Sequence, residues 1–348
     1  MQDIVIIIPT LNPKDKLIEI VKNIKENKFE KIIVVNDGSN SENQMVFEKI
    51  KDDVVLINHK MNEGKGRAIK DALKYIHENY KNVIGAITVD GDGQHLIKDI
   101  VNVATKLMSN NNKGDFNLIL GVRNLYGKDV PKKSRIGNKF SSKFFKLQTG
   151  VDLKDTQTGL RAIPAKLISY ATEVNGNRYD YEMNVLTKFA MNNVKIDMVD
   201  IETVYEDNNK ESHFRAIRDS LLIYKQLVKF AIIAVSSAII DIGLFTILTN
   251  IFKEHFSLYI LYSTIIARAT SGIFNFWANK RWSFESKKNT LKQAYKYLIL
   301  FIFQMFASSL LVTIFGRLPI NITIVKIFVD LFIFFINYFV ERRFIFNK

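Results

Sequence analysis

The spacing of apolar residues changes character about two-thirds of the way along the chain. Up to residue 225, short apolar runs alternate with stretches in which apolar residues recur at helical spacing. The runs are DIVIIIPT, an amphipathic stretch to Phe29, KIIVVND, a second helix, VVLINH, a third helix and VIGAITVD. Strand alternating with helix predicts a mostly parallel α/β sheet, in which ligands sit beyond the carboxyl ends of the strands. From residue 226 the pattern is oily: apolar segments cover roughly 230–252, 258–278, 297–315 and 320–340. Each is near the ~20 residues a helix needs to cross a bilayer. They carry little polar face, so packing them as core helices of a soluble domain would leave nothing for water to solvate. The chain therefore reads as an α/β domain, 1–225, followed by an all-α transmembrane domain of four helices, 226–348.

Charge sharpens the division. The whole chain of 348 residues carries 49 Lys+Arg against 35 Asp+Glu, a net +14, and residues 226–348 hold 14 of the basic and 5 of the acidic residues. That half is thus at +9 and the first at +5. The connection 281–296 and the tail ERRFIFNK are basic, whereas KEHF and GRLPIN are nearly uncharged. The positive-inside rule then predicts both chain ends in the cytosol, with a multi-pass domain in the cell membrane. The apolar run near the N-terminus follows Asp3 and is cut by Pro9, which does not read as a secretory signal. With no cysteine, disulfides, thiol nucleophiles and cysteine zinc sites are excluded.

The second half repeats itself. KQLVKF, 225–230, returns as KQAYKY, 292–297, and NFWANKRWSF, 275–284, returns as NYFVERRFIF, 337–346. Two helical hairpins of parallel topology follow, each ending at the cytosolic face with aromatics at headgroup depth. Asp241, Arg268 and Asp330 fall inside the predicted spans, where charge is costly, so they are expected to face one another or a hydrated path. These endings resemble the GtrA-like family of four-helix membrane proteins. The resemblance implies association with polyprenyl-phosphate-linked sugars, either as a flippase or as an anchor.

In the first half the chemistry lies at strand ends: Thr10 and Asn12, Asp37, Asn62, and then TVDGDGQH, 88–95. No G-x-G-x-x-G follows the first strand, and NEGKGRA lacks the spacing and hydroxyl of a P-loop, which argues against a dehydrogenase or an ATPase. Alternate residues of an extended strand end point the same way. Asp90 and Asp92 can therefore converge on one hard cation, with Gly91 allowing close approach and open positions left for phosphate oxygens.

IIIPTLN, VVNDGS, NEGKGRA and TVDGDGQH, in this order and spacing, resemble the GT-A nucleotide-diphospho-sugar transferase domain of glycosyltransferase family 2. Within it they resemble the polyprenyl-phosphate sugar synthases. The resemblance implies a Mg2+ or Mn2+ ion on Asp90, Asp92 and Gln94. It gives a donor pocket of Pro9, Thr10, Asn12, Asp37, Lys65, Asp90 and Gln94, and a catalytic set of Asp90, Asp92, Arg123 and Asp155. Gln157 and Glu182 are implied near the sugar. Arg161, Ser212, His213 and Arg215 are implied at the acceptor phosphate, where the charge of the basic segment 130–150 makes Arg135 the best single candidate. The chain departs from the family at Pro13, where Glu is usual, and at Ser212-His213, where Ser-Lys is common.

Residues 130–150 interleave Lys132, Lys133, Arg135, Lys139, Lys143 and Lys146 with Ile136, Phe140, Phe144, Phe145 and Leu147. This is a basic amphipathic helix suited to lipid headgroups, and no nucleic-acid module accompanies it. The implied reaction moves a hexose from a UDP- or GDP-sugar to polyprenyl phosphate, with inversion. A composition rich in Lys, Asn and Ile points to undecaprenyl. The rival is transfer to a lipid or polysaccharide hydroxyl with Asp155 or Glu182 as base and the membrane half only an anchor. A homo-oligomer is compatible with either.

Overall fold

The computed structural model describes residues 1–124, 132–202, 225–315 and 321–346. Two compact units divide the chain, Met1–Ile223 and Tyr224–Lys348.

The first unit is a seven-stranded sheet. Its strands are β1 (Ile4–Thr10), β2 (Lys31–Asn36), β3 (Val55–Asn58), β4 (Gly85–Thr88), β5 (Leu118–Arg123), β6 (Arg161–Pro164) and β7 (Ile196–Ile201), in the order β3-β2-β1-β4-β6-β5-β7. All neighbours pair in parallel except β6, which runs antiparallel to β4 and β5. The helices are α1 (Lys16–Glu26), α2 (Gln44–Ile50), α3 (Lys65–Asn79), α4 (Ile97–Asn112), α5 (Lys132–Thr149), α6 (Ala165–Thr172) and α7 (Asp180–Met191).

The unbroken apolar run of β1 has a simple cause, since both faces of the sheet are covered. Val5 and Ile7 face one core with Ala68, Leu73 and Ile76 of α3, while Ile4, Ile6 and Ile8 face the other with Leu17, Val21 and Ile24 of α1. On both helices the buried residues recur three or four apart, which places them on one stripe. With a central parallel block, the carboxyl ends of β1, β2 and β4 form one shelf.

Helix α5 follows the same logic and corrects one expectation. Ser141, Phe144, Phe145 and Gln148, at i, i+3, i+4 and i+7, are buried against the domain. Phe144 and Phe145 are thus core residues rather than lipid contacts. The outer face keeps Ile136, Phe140 and Leu147 exposed, with Lys139, Lys143 and Lys146 among them.

The described part of the second unit has four helices, α8 (Lys225–Phe252), α9 (Tyr259–Ala278), α10 (Thr290–Phe315) and α11 (Ile322–Val340). By length and composition α8 and α10 can each cross a membrane. Both begin earlier than the apolar segments suggest, at Lys225 and Thr290, because the polar turns KQLVK and TLKQAYK are themselves helical and have a task. After α9 and α11 the chain makes a single π-helical turn, Asn279–Ser283 and Glu341–Ile345. Gln226 and Lys229 donate to the carbonyls of Ser283 (3.2 Å) and Trp282 (2.8 Å), which the widened turn leaves open. In the second hairpin Gln293 and Lys296 donate to the carbonyls of Ile345 (2.9 Å) and Phe344 (3.1 Å) at the equivalent positions.

The sequence repeat is therefore a structural one, joined on its axis. Phe284 and Phe346, equivalent residues, stack with centroids 5.2 Å apart. Around them the contact Phe230–Tyr338 (5.3 Å) is mirrored by Tyr297–Phe276 (5.5 Å). Away from this aromatic cluster the helices expose mostly Ile, Leu and Phe, as a lipid-facing surface would.

Candidate active site

The shelf is set by sheet register. Thr10 pairs with Asn36, and the Val89 amide donates to the Ile7 carbonyl at 2.9 Å, so the chain leaving β4 passes directly beside the end of β1. Pro9 is buried in β1 and Thr10 closes it. A Cβ on Gly91 would stand 3.1 Å from Thr10 Oγ1. A side chain there would crowd Thr10, so the glycine between the two aspartates eases the close approach of the DGD segment to the end of β1.

Asp90 is the hub. Its Oδ1 is 2.7 Å from Lys65 Nζ, and its Oδ2 is 3.1 Å from His95 Nε2. Lys65 also reaches Glu182 Oε1 at 3.1 Å. A Cβ on Gly159 would come 2.2 Å from Asp90 Oδ2, so only glycine admits the carboxylate there. Burial alone would raise the Asp90 pKa, but the Lys65 ammonium and the His95 ring hold its carboxyl well below the ordinary range. Burial likewise opposes a charged Lys65, and the two carboxylates outweigh it, leaving the ammonium harder to deprotonate than usual.

Asp92 is different. Burial, followed by the charge of Asp90, pushes its carboxyl above the ordinary range. It accepts the Gln94 amide at 3.1 Å. Among the described residues no cluster of three or more His, Cys, Asp and Glu side chains converges into a ready metal cage. A half-buried carboxylate disfavoured by its neighbour is nonetheless what a hard cation relieves. The pair therefore fits an ion held by one or two protein carboxylates with the remaining positions left to phosphate.

Asp37 is 4 % exposed and is tied into the frame. Its oxygens accept the amides of Glu63 (2.9 Å) and Gly64 (2.8 Å), and Oδ1 is 2.8 Å from His59 Nδ1. It thereby fixes the start of α3, from which Lys65 projects. Asn12, at φ 51°, joins the β1 and β2 loops: its amide donates to Ser39 Oγ and its Oδ1 accepts the Asn40 amide, both at 2.8 Å.

Arg123 and Asp155 form a two-pronged pair, Nε to Oδ2 at 2.6 Å and a terminal nitrogen to Oδ1 at 3.1 Å. Asp155 is fully buried and also accepts the Gln157 amide at 2.9 Å. Both its oxygens are engaged, which suits positioning Arg123 and not proton abstraction. Arg161 corrects another expectation. It is 3 % exposed, and its guanidinium donates to the carbonyls of Thr158 (2.9 Å), Glu182 (2.5 Å) and Thr156 (3.4 Å). It braces the wall behind Glu182 rather than facing an approaching acceptor. Arg135 is half-buried on α5. Ser212, His213 and Arg215 lie outside the described residues.

Nothing in the sequence alone assigns a role to His95 or His59. His95 lies five residues past Asp90, on a loop that turns back. His59 ends the VVLINH run, at a strand end like the other site residues.

In the second unit Arg268 Nε is 3.4 Å from Asp241 Oδ2, and Ser271 Oγ donates to Asp241 at 3.3 Å. Asp330 instead pairs with Lys326, one helical turn earlier, and accepts from Ser308 Oγ at 3.1 Å. The repeat aligns Asp241 with Ser308 and Arg268 with Asp330. The same two positions thus hold polar contacts in both hairpins.

Two family models match separate parts of the chain. Residues 5–163 match the model of glycosyl transferase family 2, and residues 229–346 match that of the GtrA/DPMS transmembrane domain. An uncharacterized protein of Methanocaldococcus jannaschii is 26% identical over 235 residues, covering 65% of this chain and 92% of that protein. The UDP-N-acetylglucosamine–dolichyl-phosphate N-acetylglucosaminyltransferase of Methanococcus voltae is 26% identical over 223 residues, covering 59% and 86%. Glucosyl-3-phosphoglycerate synthase from Mycobacterium tuberculosis, solved with Mn2+, UDP-glucose and phosphoglyceric acid, is 13% identical. It covers 66% of this chain and 78% of that one at a TM-score of 0.47.

Proposed function

Because the chain is a glycosyltransferase that joins a family 2 domain to a GtrA/DPMS transmembrane domain, we propose that it moves a hexose or N-acetylhexosamine from a nucleoside diphosphate to a polyprenyl phosphate. The transfer takes place on the cytosolic leaflet of the cell membrane. One observation carries the reading: a transferase domain with its acidic pair at the end of β4 is fused to a membrane domain. Support comes from the relative whose name pairs UDP-N-acetylglucosamine with dolichyl phosphate. The exposed Ile136, Phe140 and Leu147 among lysines of α5 supply a surface that suits lipid headgroups.

The chemistry asks little of a base. An acceptor phosphate monoester, with a second pKa near ~6, is largely ionised at neutral pH. An oxygen of that phosphate attacks the anomeric carbon, the bond from that carbon to the diphosphate oxygen breaks, and the nucleoside diphosphate leaves with inversion. A bound Mg2+ or Mn2+ on Asp90 and Asp92 would neutralise the departing diphosphate. Thr10 and Asn12 line the nucleotide side, and Arg123, held rigid by Asp155, offers positive charge on the sugar side. Transfer to a hydroxyl would need a free base. Asp155 is saturated and Glu182 is paired with Lys65, so the phosphate acceptor is preferred.

The test is a screen of radiolabelled UDP-GlcNAc, UDP-glucose and GDP-mannose with undecaprenyl or dolichyl phosphate. The expected product is butanol-extractable and labile to mild acid. Label on a hydroxyl acceptor alone would overturn the assignment. We further propose that the membrane domain carries the product to the far leaflet. Unchanged transbilayer rates in vesicles bearing the protein would reduce it to an anchor.

A further inference from the structure

Lys65 holds a position that donor binding alone does not explain. Its ammonium bridges Asp90 Oδ1 at 2.7 Å and Glu182 Oε1 at 3.1 Å, the first just past β4 and the second on α7. Its backbone is anchored, because it is the first residue of α3 and the preceding loop is clamped by Asp37 through the amides of Glu63 and Gly64, so the ammonium can move only within reach of its side chain. Asp90 cannot retreat either, with Gly159 packed against one oxygen and His95 on the same side. One fixed carboxylate therefore faces one tethered cation.

We propose that Lys65 is a built-in counter-ion seated where the divalent cation must bind Asp90, and that it gives up this seat to the metal by withdrawing onto Glu182. The inference rests on the metal reading of Asp90 and Asp92 given above. Its physical basis is that an ammonium and a divalent ion on one carboxylate repel strongly in a partly buried, weakly screened site. Glu182 is the second seat, already in contact and itself nearly buried. The exchange keeps half-buried Asp90 and nearly buried Glu182 neutralised both before and after the metal arrives. Lys65 thus sets the threshold for metal loading, and Glu182 is a positioning residue that acts through it.

Mn2+ binding to the full-length protein in detergent, followed by the EPR signal of the free ion without donor, tests this independently of turnover. Lys65→Met should bind Mn2+ at least about tenfold more tightly than wild type, and the gain should vanish in an Asp90→Asn background, since the two residues are then coupled. Lys65→Gln, which keeps a hydrogen-bond donor without charge, guards against a folding defect in Lys65→Met and should show the same gain. Unchanged or weaker binding in both variants overturns the proposal. So does a gain that persists undiminished with Asp90→Asn, which would mark a general field effect. If Asp92→Asn binds Mn2+ as well as wild type, the metal reading itself fails, a result distinct from the others.

Discussion

Charge is handled in opposite ways in the two units. In the sheet unit the charged groups of the site come from far apart in the chain, Lys65 and Glu182 being 117 residues distant, and each pair is enclosed. In the helical unit they are neighbours within one hairpin and three of the four are open: the side chains of Arg268, Lys326 and Asp330 are 60%, 50% and 52% exposed, against 20% for Asp241. The first arrangement stores electrostatic energy in a fixed geometry, which is what stabilising a leaving group requires. The second leaves charge available at the surface of a helix bundle, where a hydrated path or another component can meet it.

The largest effect that would break this contrast is at Asp92, the carboxylate that burial and Asp90 disfavour. Asp92→Ala should cut turnover by about a hundredfold or more while leaving the far-UV circular dichroism unchanged. A variant that keeps wild-type turnover, or one whose activity survives exhaustive chelation, would mean that the enclosed charges of the sheet unit are structural only.

How much of this was visible beforehand follows from the range of each interaction. The first four strands and the position of the DGD segment are local, so periodicity and spacing announce them, whereas β5, β6 and β7, with β6 antiparallel, are not among the runs the pattern picks out. The helical repeat is legible for the same reason, including the polar turns whose use emerged only with the π-helical turns they cap. The partners of Asp90 are not local. Nothing near Lys65 in the chain says that Glu182 will lie 3.1 Å away. Arg161 looks like a surface cation until its neighbours prove to be carbonyls, and Phe144 and Phe145 look like lipid anchors until the inner face of α5 is defined.

Next in size is the pair Arg123–Asp155, whose acid is fully buried. Arg123→Met leaves that carboxylate without its cation and should destabilise the sheet unit by about 3 to 5 kcal/mol. Hydrogen exchange in β5 and β6 reports this directly. Loss of turnover with protection unchanged would show that Asp155 has another partner and that enclosure is not what matters. The corresponding test in the helical unit is a double-mutant cycle of Asp241→Asn and Arg268→Gln. Coupling between helices in membranes is weak, of the order of about 1 kcal/mol, and the half-open geometry points to the same figure. A coupling as large as that of Arg123–Asp155 would erase the distinction between the units.

The smallest effect is the most exacting. Asn279 and Glu341 are equivalent residues of the two hairpins, each opening its π-helical turn and each buried, at 0 % and 4 % exposure. Among the described residues neither Asn279 Oδ1 nor Glu341 Oε2 has a hydrogen-bond partner. Asn279 donates its amide nitrogen to Asn275 Oδ1, one turn back, at 2.8 Å. The residue one turn before Glu341 is Asn337, whose own amide nitrogen is taken by Gln304. A buried carboxyl without a cation is held neutral by its surroundings, and a neutral carboxyl can donate to Asn337 as the Asn279 amide does to Asn275. Glu341→Gln, which keeps the shape and the donor, should therefore change the unfolding free energy of the helical unit by no more than about 0.5 kcal/mol. Measured in mild detergent, a loss several times larger would mean that the carboxyl is ionised and paired, and that the second hairpin encloses charge in the manner of the sheet.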